Sequence, residues 1–291
     1  MRSVALYAVT VLIWGTSWLA IIYQLGVVDP MVSVAYRFIL AAVIMHGLCW
    51  VRRQPMRFSR RDHCFLALQG ASLFALNYWL FYNAELHIAS GLAAVVFSTI
   101  IVWNILIGAV WIRHPLDRRV LLGAGLGLCG IALVFWPEVQ DFGANETGLY
   151  GLGLSIVATI LASLGNIASA RNQQAGISVL SSNAWAMTYG AGLMVLLALV
   201  SGKPFDFMAT PLYVGALLYL SVFASVIAFW SYLTLVGEIG PDRAAYATLL
   251  FPLVALGLST VFEDYVWTLP AIIAVCLILG GNLLTLRKPA G

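Results

Sequence analysis

Aromatic and amide side chains recur at helical spacing inside long apolar stretches of the chain. Trp14 and Trp18 lie four residues apart, as do Tyr78 and Tyr82, so each pair shares one face of a helix. Side chains of these types can stack on a planar group or hold an ammonium group by cation–π attraction. We expect the following aromatic, amide and hydroxyl residues to line a central cavity: Trp14, Trp18, Asn77, Tyr78, Tyr82, Ser98, Thr99, Trp103, Ser163, Asn166, Trp185 and Tyr246.

Three further residues are candidates for gating or charge compensation. Arg37 is charged and lies well inside an apolar stretch. Its guanidinium could hold a carboxylate or an outer gate. Alternatively, it could extend outward to the interface, or pair with Glu85 or with an acidic loop. Pro252 interrupts the backbone hydrogen bonds of another apolar stretch, where it could form a kink or hinge.

The chain lacks the residue patterns of enzymes, ATPases and metal sites. No Ser/His/Asp or paired-carboxylate arrangement indicates catalysis, and no glycine-rich phosphate loop followed by Lys and Ser or Thr indicates ATP hydrolysis. The 4 histidines are dispersed, and the 4 cysteines suggest no outward-facing disulfide. We therefore expect no enzyme activity, no cofactor and no metal site.

The composition places these residues in a membrane protein. Of the 291 residues, 62% are hydrophobic and 9% are charged, and the mean hydropathy is +0.95. In a soluble domain, by contrast, about 25% of residues are charged. A helical span needs about 20 mainly apolar residues, and the chain divides at Pro, Gly and charge clusters into ten such stretches. The expected spans are 4–25, 31–51, 64–86, 90–112, 120–136, 149–170, 180–200, 211–235, 244–262 and 268–286.

The basic residues indicate how these spans are oriented. Of the 15 Lys and Arg residues, thirteen lie on one side of the spans, Lys203 lies on the other, and Arg37 lies within a span. Because cytoplasmic loops carry the excess of basic residues, we expect both termini in the cytoplasm. The net charge of +3 therefore reports orientation, and nothing in the sequence supports nucleic-acid binding.

A weak internal repeat divides the chain into two halves. An offset of 151 residues aligns Ala93 with Ala244 and Gly130 with Gly281. Five spans per half is an odd number, so two copies of one unit must sit in opposite orientations. In secondary transporters such halves exchange conformations to open a central site to either side. We expect repeats at 1–136 and 149–291, joined by an outer loop at 137–148; chance similarity among Leu, Ala and Gly is the alternative.

The polar and aromatic positions allow two interpretations. Hydrocarbon leaves polar side chains without hydrogen bonds, which favours a cavity that faces protein or water. Alternatively, Ser, Thr and Asn bond across helices while Trp and Tyr form interfacial belts. Glu85 lies toward the outer end of its span, and no carboxylate or histidine lies near a span centre. Since proton coupling usually uses such a group, we expect facilitated diffusion or exchange.

The chain resembles the EamA branch of the drug/metabolite transporter superfamily over its whole length. The local support comes from Trp14-Gly15, Arg37, Pro252, Phe262-Glu263 and Gly280-Gly281. The first half departs from the pattern of this branch. It has Arg113-His114-Pro115 where an acidic residue is usual, and Ile101 aligns with Pro252. These departures bear on any symmetric gating scheme.

The resemblance implies an all-α fold of ten transmembrane helices, arranged as two inverted five-helix repeats in the bacterial inner membrane. The aromatic lining is similar to that of YddG-type exporters. This resemblance implies that the small-molecule substrates are aromatic amino acids and that the protein exports them. A general drug or metabolite transporter, or another amino acid transporter with proton coupling, is the alternative. A non-transporting membrane scaffold would have no solute-accessible cavity.

Overall fold

The structure is a bundle of helices. The computed structural model describes residues 2–26, 28–112, 118–134, 146–232 and 247–286, and among these residues every regular element is helical. The helices are α1 (Arg2–Ile22), α2 (Pro30–Val51), α3 (Arg60–Gln69), π1 (Gly70–Leu76), α4 (Asn77–Ala84), α5 (Ser90–Phe97), α6 (Ile100–Ile112), α7 (Arg118–Val134), α8 (Glu146–Gln174), α9 (Val179–Val200), α10 (Pro211–Leu218), π2 (Tyr219–Ile227), α11 (Ala247–Phe262) and α12 (Leu269–Leu286).

Several of these helices are long and apolar enough to cross a bilayer. Seven described helical stretches meet that requirement by length and composition: Val4–Ile22, Pro30–Val51, Arg60–Ala84, Ser90–Gly108, Thr147–Gln174, Val179–Val200 and Pro211–Tyr232. Two shorter apolar helices, Leu250–Phe262 and Leu269–Gly281, follow. The expected all-helical, multi-pass membrane fold is therefore confirmed for the described residues, while the count of ten spans and their inversion stay predictions.

Two of the spans change helix type midway. In the span Arg60–Ala84, α3 passes through the π-helix π1 into α4, and in the span Pro211–Tyr232, α10 passes into π2. The wider turn is visible at Ser225, whose hydroxyl donates to the carbonyl of Leu220, five residues earlier, at 2.9 Å. A π segment changes the direction of the side chains that follow it and often marks a functional position in a helix.

Polar residues set several helix boundaries. Asp29 accepts a hydrogen bond from the backbone N–H of Met31 at 2.9 Å, and Pro30 follows as the first residue of α2. Ser59 caps α3 in the same way by accepting from the N–H of Asp62 at 3.1 Å. Such caps satisfy N–H groups that the helix itself leaves unpaired. The charged residues Arg52, Arg53, Arg57, Arg60 and Arg61 lie around the turn between α2 and α3, and we call this the Arg-rich end of the bundle.

Glycines allow α7 and α12 to pack closely against each other. A Cβ atom added to Gly130 would lie 2.5 Å from Ile278 Cγ1, and one added to Gly281 would lie 2.5 Å from the carbonyl oxygen of Gly123. Small residues permit this backbone approach in membrane helices. Beyond each other, α7 and α12 meet the rest of the bundle mainly through α6 and α11. They therefore lie at its edge, and the chemistry must be sought among the other helices.

Candidate functional site

A cavity of about 160 Å³ lies among the helices of both halves of the chain. It is bounded by α1, π1, α4, α5, α6, α8, the helical turn after π2, and α11. The lining residues are Trp14, Ser17, Trp18, Ile21, Leu73, Asn77, Tyr78, Phe81, Phe97, Ile100, Ile101, Asn104, Asn166, Phe229, Tyr232 and Phe251. None of these side chains carries a formal charge.

Trp18 organises one side of the cavity wall. Its ring meets Phe81 edge-on at 4.9 Å between centroids, and it lies 5.6 Å from the ring of Phe97. It also stacks on Phe251 at 6.3 Å with an angle of 16° between the planes. Rings from α1, α4, α5 and α11 thus form one continuous aromatic surface whose geometry favours further stacked or edge-on rings.

Trp14 lies one turn before Trp18 on the same face of α1 and contacts a second set of rings. Its ring lies 5.2 Å from Tyr232 and 5.3 Å from Phe229. Its indole N–H donates to the carbonyl of Ala224 in π2 at 3.2 Å, which holds the ring in place. The predicted pairing of Trp14 and Trp18 on one face of α1 therefore puts both rings into the cavity, and each contacts aromatic residues from the second half of the chain.

Amide side chains supply the polar part of the lining. Asn166 Nδ2 donates to Asn104 Oδ1 at 3.4 Å, which joins α8 and α6 across the cavity wall. Asn77 Nδ2 donates to the carbonyl of Ala158 at 3.3 Å. Amides carry both donors and acceptors, so this part of the wall can bond to either an ammonium or a carboxylate group.

Arg37 lies behind the cavity wall, where it is 1% exposed. Its Cζ lies 4.3 Å from the centroid of the Tyr78 ring, and its Nε donates to Ser225 Oγ in π2 at 3.1 Å. Its Nη1 has no hydrogen-bond partner among the described residues. The side chain therefore does not extend to the interface; cation–π attraction to a cavity-lining tyrosine replaces part of its lost hydration.

Glu85 caps the C-terminal end of α4 and is 8% exposed. Neither carboxylate oxygen has a hydrogen-bond partner among the described residues. Pro252 is also buried, and it lies within α11 next to the cavity residue Phe251. These placements leave the proposed gating roles of Arg37, Glu85 and Pro252 as predictions.

Other predicted lining residues lie outside the cavity. Tyr82 is buried, and its hydroxyl donates to Gln24 Oε1 at 2.8 Å. The hydroxyls of Ser98 and Thr99 donate to the carbonyls three residues before them at 2.7 Å, at the break between α5 and α6. These two residues satisfy the backbone where the helix is interrupted, which is a common local use of Ser and Thr.

The remaining predicted residues are dispersed. Trp185 packs near the Arg-rich end, where its indole N–H donates to the carbonyl of Met56 at 3.1 Å. Ser163 is buried in α8, and Trp103 is half-buried in α6, but neither lines the cavity. Tyr246 lies outside the described residues.

The structure adds phenylalanines that sequence reasoning missed. Phe81, Phe97, Phe229 and Phe251 all line the cavity. Phe81 lies three residues after Tyr78 and thus on the same helix face, which was the one available signal. The others have no polar atom to distinguish them from phenylalanines that face lipid, such as Phe223, which is 45% exposed.

Comparison with known proteins places the chain among transporters. The family model described as the EamA-like transporter family matches residues 1–136 and 149–287. Protein PagO of Salmonella typhimurium is 22% identical over 270 residues, which cover 92% of this chain and 86% of that protein. An uncharacterized transporter of Archaeoglobus fulgidus is 27% identical over 229 residues, 78% of each chain. A solved crystal structure superposes with a TM-score of 0.68 at 18% identity, covers 97% of this chain and 96% of that one, and thus shares the fold.

Proposed function

Because the chain belongs to the EamA-like transporter family, we propose that it exports small metabolites across the bacterial inner membrane, with aromatic amino acids as the preferred substrates. The observation that carries this proposal is the cavity built from rings and neutral amides. Trp14, Trp18 and Phe251 offer surfaces for an aromatic side chain. Asn77, Asn104 and Asn166 offer bonds to the amino and carboxyl groups of the same molecule.

The neutral lining favours a zwitterion or an uncharged compound over an ion. A substrate with a net charge would have to leave water for a cavity that carries no compensating formal charge among its lining residues. An amino acid zwitterion presents an ammonium and a carboxylate that amides can bind together. Cation–π attraction from the surrounding rings, worth about 0.5–2 kcal/mol, would add to the binding of the ammonium group.

We propose alternating access between two inverted repeats of five helices, with both termini in the cytoplasm. The helix contacts support this arrangement. On this arrangement α1–α7 form the first five spans and α8–α12 form the second five. An exchange of the two sets maps the contact of α7 with α12 onto itself, and likewise the contact of α2 with α9. The pair α1/α11 corresponds to the contact of α8 with α5 and α6. The two π segments fall in corresponding spans, the third of each set. The two matched regions of the family model support the same division.

Counterflow in proteoliposomes tests the substrate. Vesicles loaded with unlabelled phenylalanine, tyrosine, tryptophan, leucine, serine or lysine are given labelled tryptophan, and each internal amino acid is scored for exchange. We expect exchange with the three aromatic amino acids and much weaker exchange with serine and lysine. Equal exchange with all six would leave a general metabolite transporter, and no exchange above protein-free vesicles would contradict transport of amino acids.

Matched tryptophan variants test the site. Trp18→Ala removes a lining ring, and Trp103→Ala removes a half-buried tryptophan outside the cavity. One aromatic contact is worth about 0.5–1.5 kcal/mol, so Trp18→Ala should raise the half-saturating tryptophan concentration by about two- to twelvefold. Trp103→Ala should leave it within about twofold. The opposite ranking, in variants that are both monodisperse after purification, would remove the cavity from the substrate path.

A further inference from the structure

A buried stripe of titratable groups leads from the outer part of the span Arg60–Ala84 to the cavity wall. Tyr78, Tyr82 and Glu85 follow one another at i, i+4 and i+7, so they lie on one helix face. Arg37 of α2 lies against this face, with its guanidinium over the Tyr78 ring and within electrostatic range of Tyr82 and Glu85. Gln24, which follows α1, bonds to the Tyr82 hydroxyl.

Three members of this cluster have polar atoms without partners. Glu85 Oε1 and Oε2, Arg37 Nη1 and Gln24 Nε2 are all buried and have no hydrogen-bond partner among the described residues. A carboxylate that is buried without donors is costly, whereas a neutral carboxyl group is much less so. A buried acceptor without donors, in electrostatic range of a guanidinium with an unused donor, therefore forms a site with two alternatives: a proton on Glu85, or a carboxylate that Arg37 moves to meet.

The charged groups around Glu85 also affect whether it carries a proton or pairs with Arg37. Glu263, after α11, is the other described carboxylate in electrostatic range of Glu85. It already accepts from the backbone N–H of Ser90 at 2.9 Å and from the hydroxyls of Ser90 and Ser259, so its charge is stabilised where it lies. Where α8 packs against this end of α4, the described titratable groups are Tyr150 of α8, which is exposed, and His87, which follows α4 and contacts the Tyr150 ring.

We propose that Glu85 is a proton-binding site and that its proton is exchanged for substrate; the second part rests on the proposed function. The carboxyl group of Glu85 takes up one proton from the outer solution and releases it to the cytoplasm, and one substrate molecule moves outward in the other half of the cycle. No covalent bond other than O–H forms or breaks.

Arg37 links the protonation state of Glu85 to the cavity wall. When Glu85 loses its proton, the carboxylate attracts the free Nη1 of Arg37, whose guanidinium now lies over Tyr78. Because Arg37 Nε also bonds to Ser225 in π2, a shift of this side chain acts on a cavity-lining ring and on a second span together. The sequence-based expectation of facilitated diffusion rested on the position of Glu85 toward the outer end of its span, and Glu85 does lie at that end, as the C-cap of α4. The proposal rests instead on the burial of its carboxyl group without hydrogen-bond donors.

Infrared spectroscopy tests proton binding without any substrate. Purified protein in nanodiscs is titrated from acid to about pH 7, where a solvated glutamate is ionised. The parent should keep a carboxylic acid C=O absorption at about pH 7 that is missing from Glu85→Gln and retained in Asp62→Asn. Asp62 is a suitable control because it is partly exposed and paired with Arg171 at 2.9 Å. A Glu85→Asp variant should retain a shifted band, which guards against misfolding. A parent without the band, or a band that persists in Glu85→Gln, overturns the proton site.

Transport of labelled tryptophan then tests the coupling. The exchange of one proton for one neutral zwitterion moves one charge, so the membrane potential is clamped at zero with valinomycin and equal potassium on both sides. Under that clamp, a lumen one pH unit more acidic than the medium can drive about tenfold accumulation. We expect such accumulation in the parent and in Asp62→Asn, and only equilibration in Glu85→Gln. If the parent shows tryptophan counterflow but no response to the pH gradient, the coupling is refuted and the proposed function stands. If tryptophan is not transported at all, the proposed substrate fails, and the infrared comparison still decides the proton site.

Discussion

Gln69 holds three spans together near the Arg-rich end, and replacing it by leucine should destabilise the bundle. Gln69 is fully buried in α3. Its Nε2 donates to Asn183 Oδ1 in α9 at 3.0 Å. Its Oε1 accepts from Asn172 Nδ2 in α8 at 3.0 Å and from Ser182 Oγ in α9 at 2.7 Å. Leucine has a similar volume but can make none of these bonds, so three buried polar groups on α8 and α9 would lose their partner.

The size of the effect follows from the bonds lost. A side-chain hydrogen bond between membrane helices contributes about 0.6 kcal/mol on average and up to about 1.7 kcal/mol. Three such bonds predict that Gln69→Leu lowers the free energy of unfolding by about 2–5 kcal/mol. Gln173→Leu is the matched control, because Gln173 is exposed on α8 and makes one long bond of 3.5 Å to Ser169. It should change stability by no more than about 0.5 kcal/mol.

Reversible unfolding provides the measurement. Each variant is titrated with a denaturing detergent in mixed micelles, and the intrinsic fluorescence of the 10 tryptophans reports the transition. A free energy of unfolding for Gln69→Leu equal to that of Gln173→Leu would refute the reasoning, because it would mean that the buried network contributes nothing beyond what leucine packing restores.

Three further predictions concern packing and charge. A Cβ atom at Gly91 would lie 2.6 Å from Leu256 Cα, so Gly91→Ala should lower the free energy of unfolding by about 1–3 kcal/mol; Gly257→Ala, where nothing lies within 4 Å, should be neutral in the same fluorescence titration. Arg37→Lys keeps the charge but loses the planar group over Tyr78. We expect normal expression and about threefold weaker tryptophan binding by calorimetry. Unchanged tryptophan affinity would contradict a role of the Arg37–Tyr78 contact in binding. Lys203→Ala should lower the free energy of unfolding by less than about 1 kcal/mol in the same titration, because Lys203 pairs with Asp29 at 2.9 Å and its side chain is 42% exposed.

The helical bundle could be predicted because hydrocarbon leaves no other way to pair the backbone. Long apolar stretches must be helices in a bilayer, and the described helices follow the predicted spans closely: α2 covers Pro30–Val51 where 31–51 was expected. The α8 helix begins at Glu146, three residues before the expected start. The change to π-helix at Gly70 could not be foreseen from hydropathy, since an apolar sequence such as GASLFAL suits an α-helical turn as well as a π-helical one.

The site was predictable only in part, because spacing defines a helix face but not what lies opposite it. Trp14 and Trp18 share a face, and both line the cavity. Tyr78 and Tyr82 also share a face, yet Tyr82 faces Gln24 and Tyr78 faces the cavity. The two tyrosines are one turn apart in depth, and the cavity ends between them. Only the positions of the neighbouring helices determine that limit.

Some helix contacts in one half have no equivalent in the other half, and this difference bears on how the transporter works. The span α3–π1–α4 packs along α8 through all three of its segments. On the proposed inverted repeat, the corresponding span is α10–π2 with the turn that follows it, and its partner is α1. Among the described residues this pair meets through π2, where Tyr219 bonds to Thr16, and through the following turn, where Phe229 contacts Trp14, with few contacts along α10. If the two halves are inverted repeats, these unequal contacts mean that the halves are in different conformations. Alternating access would then consist of the two halves exchanging these contacts, so that α1 closes along α10 while α8 separates from α3.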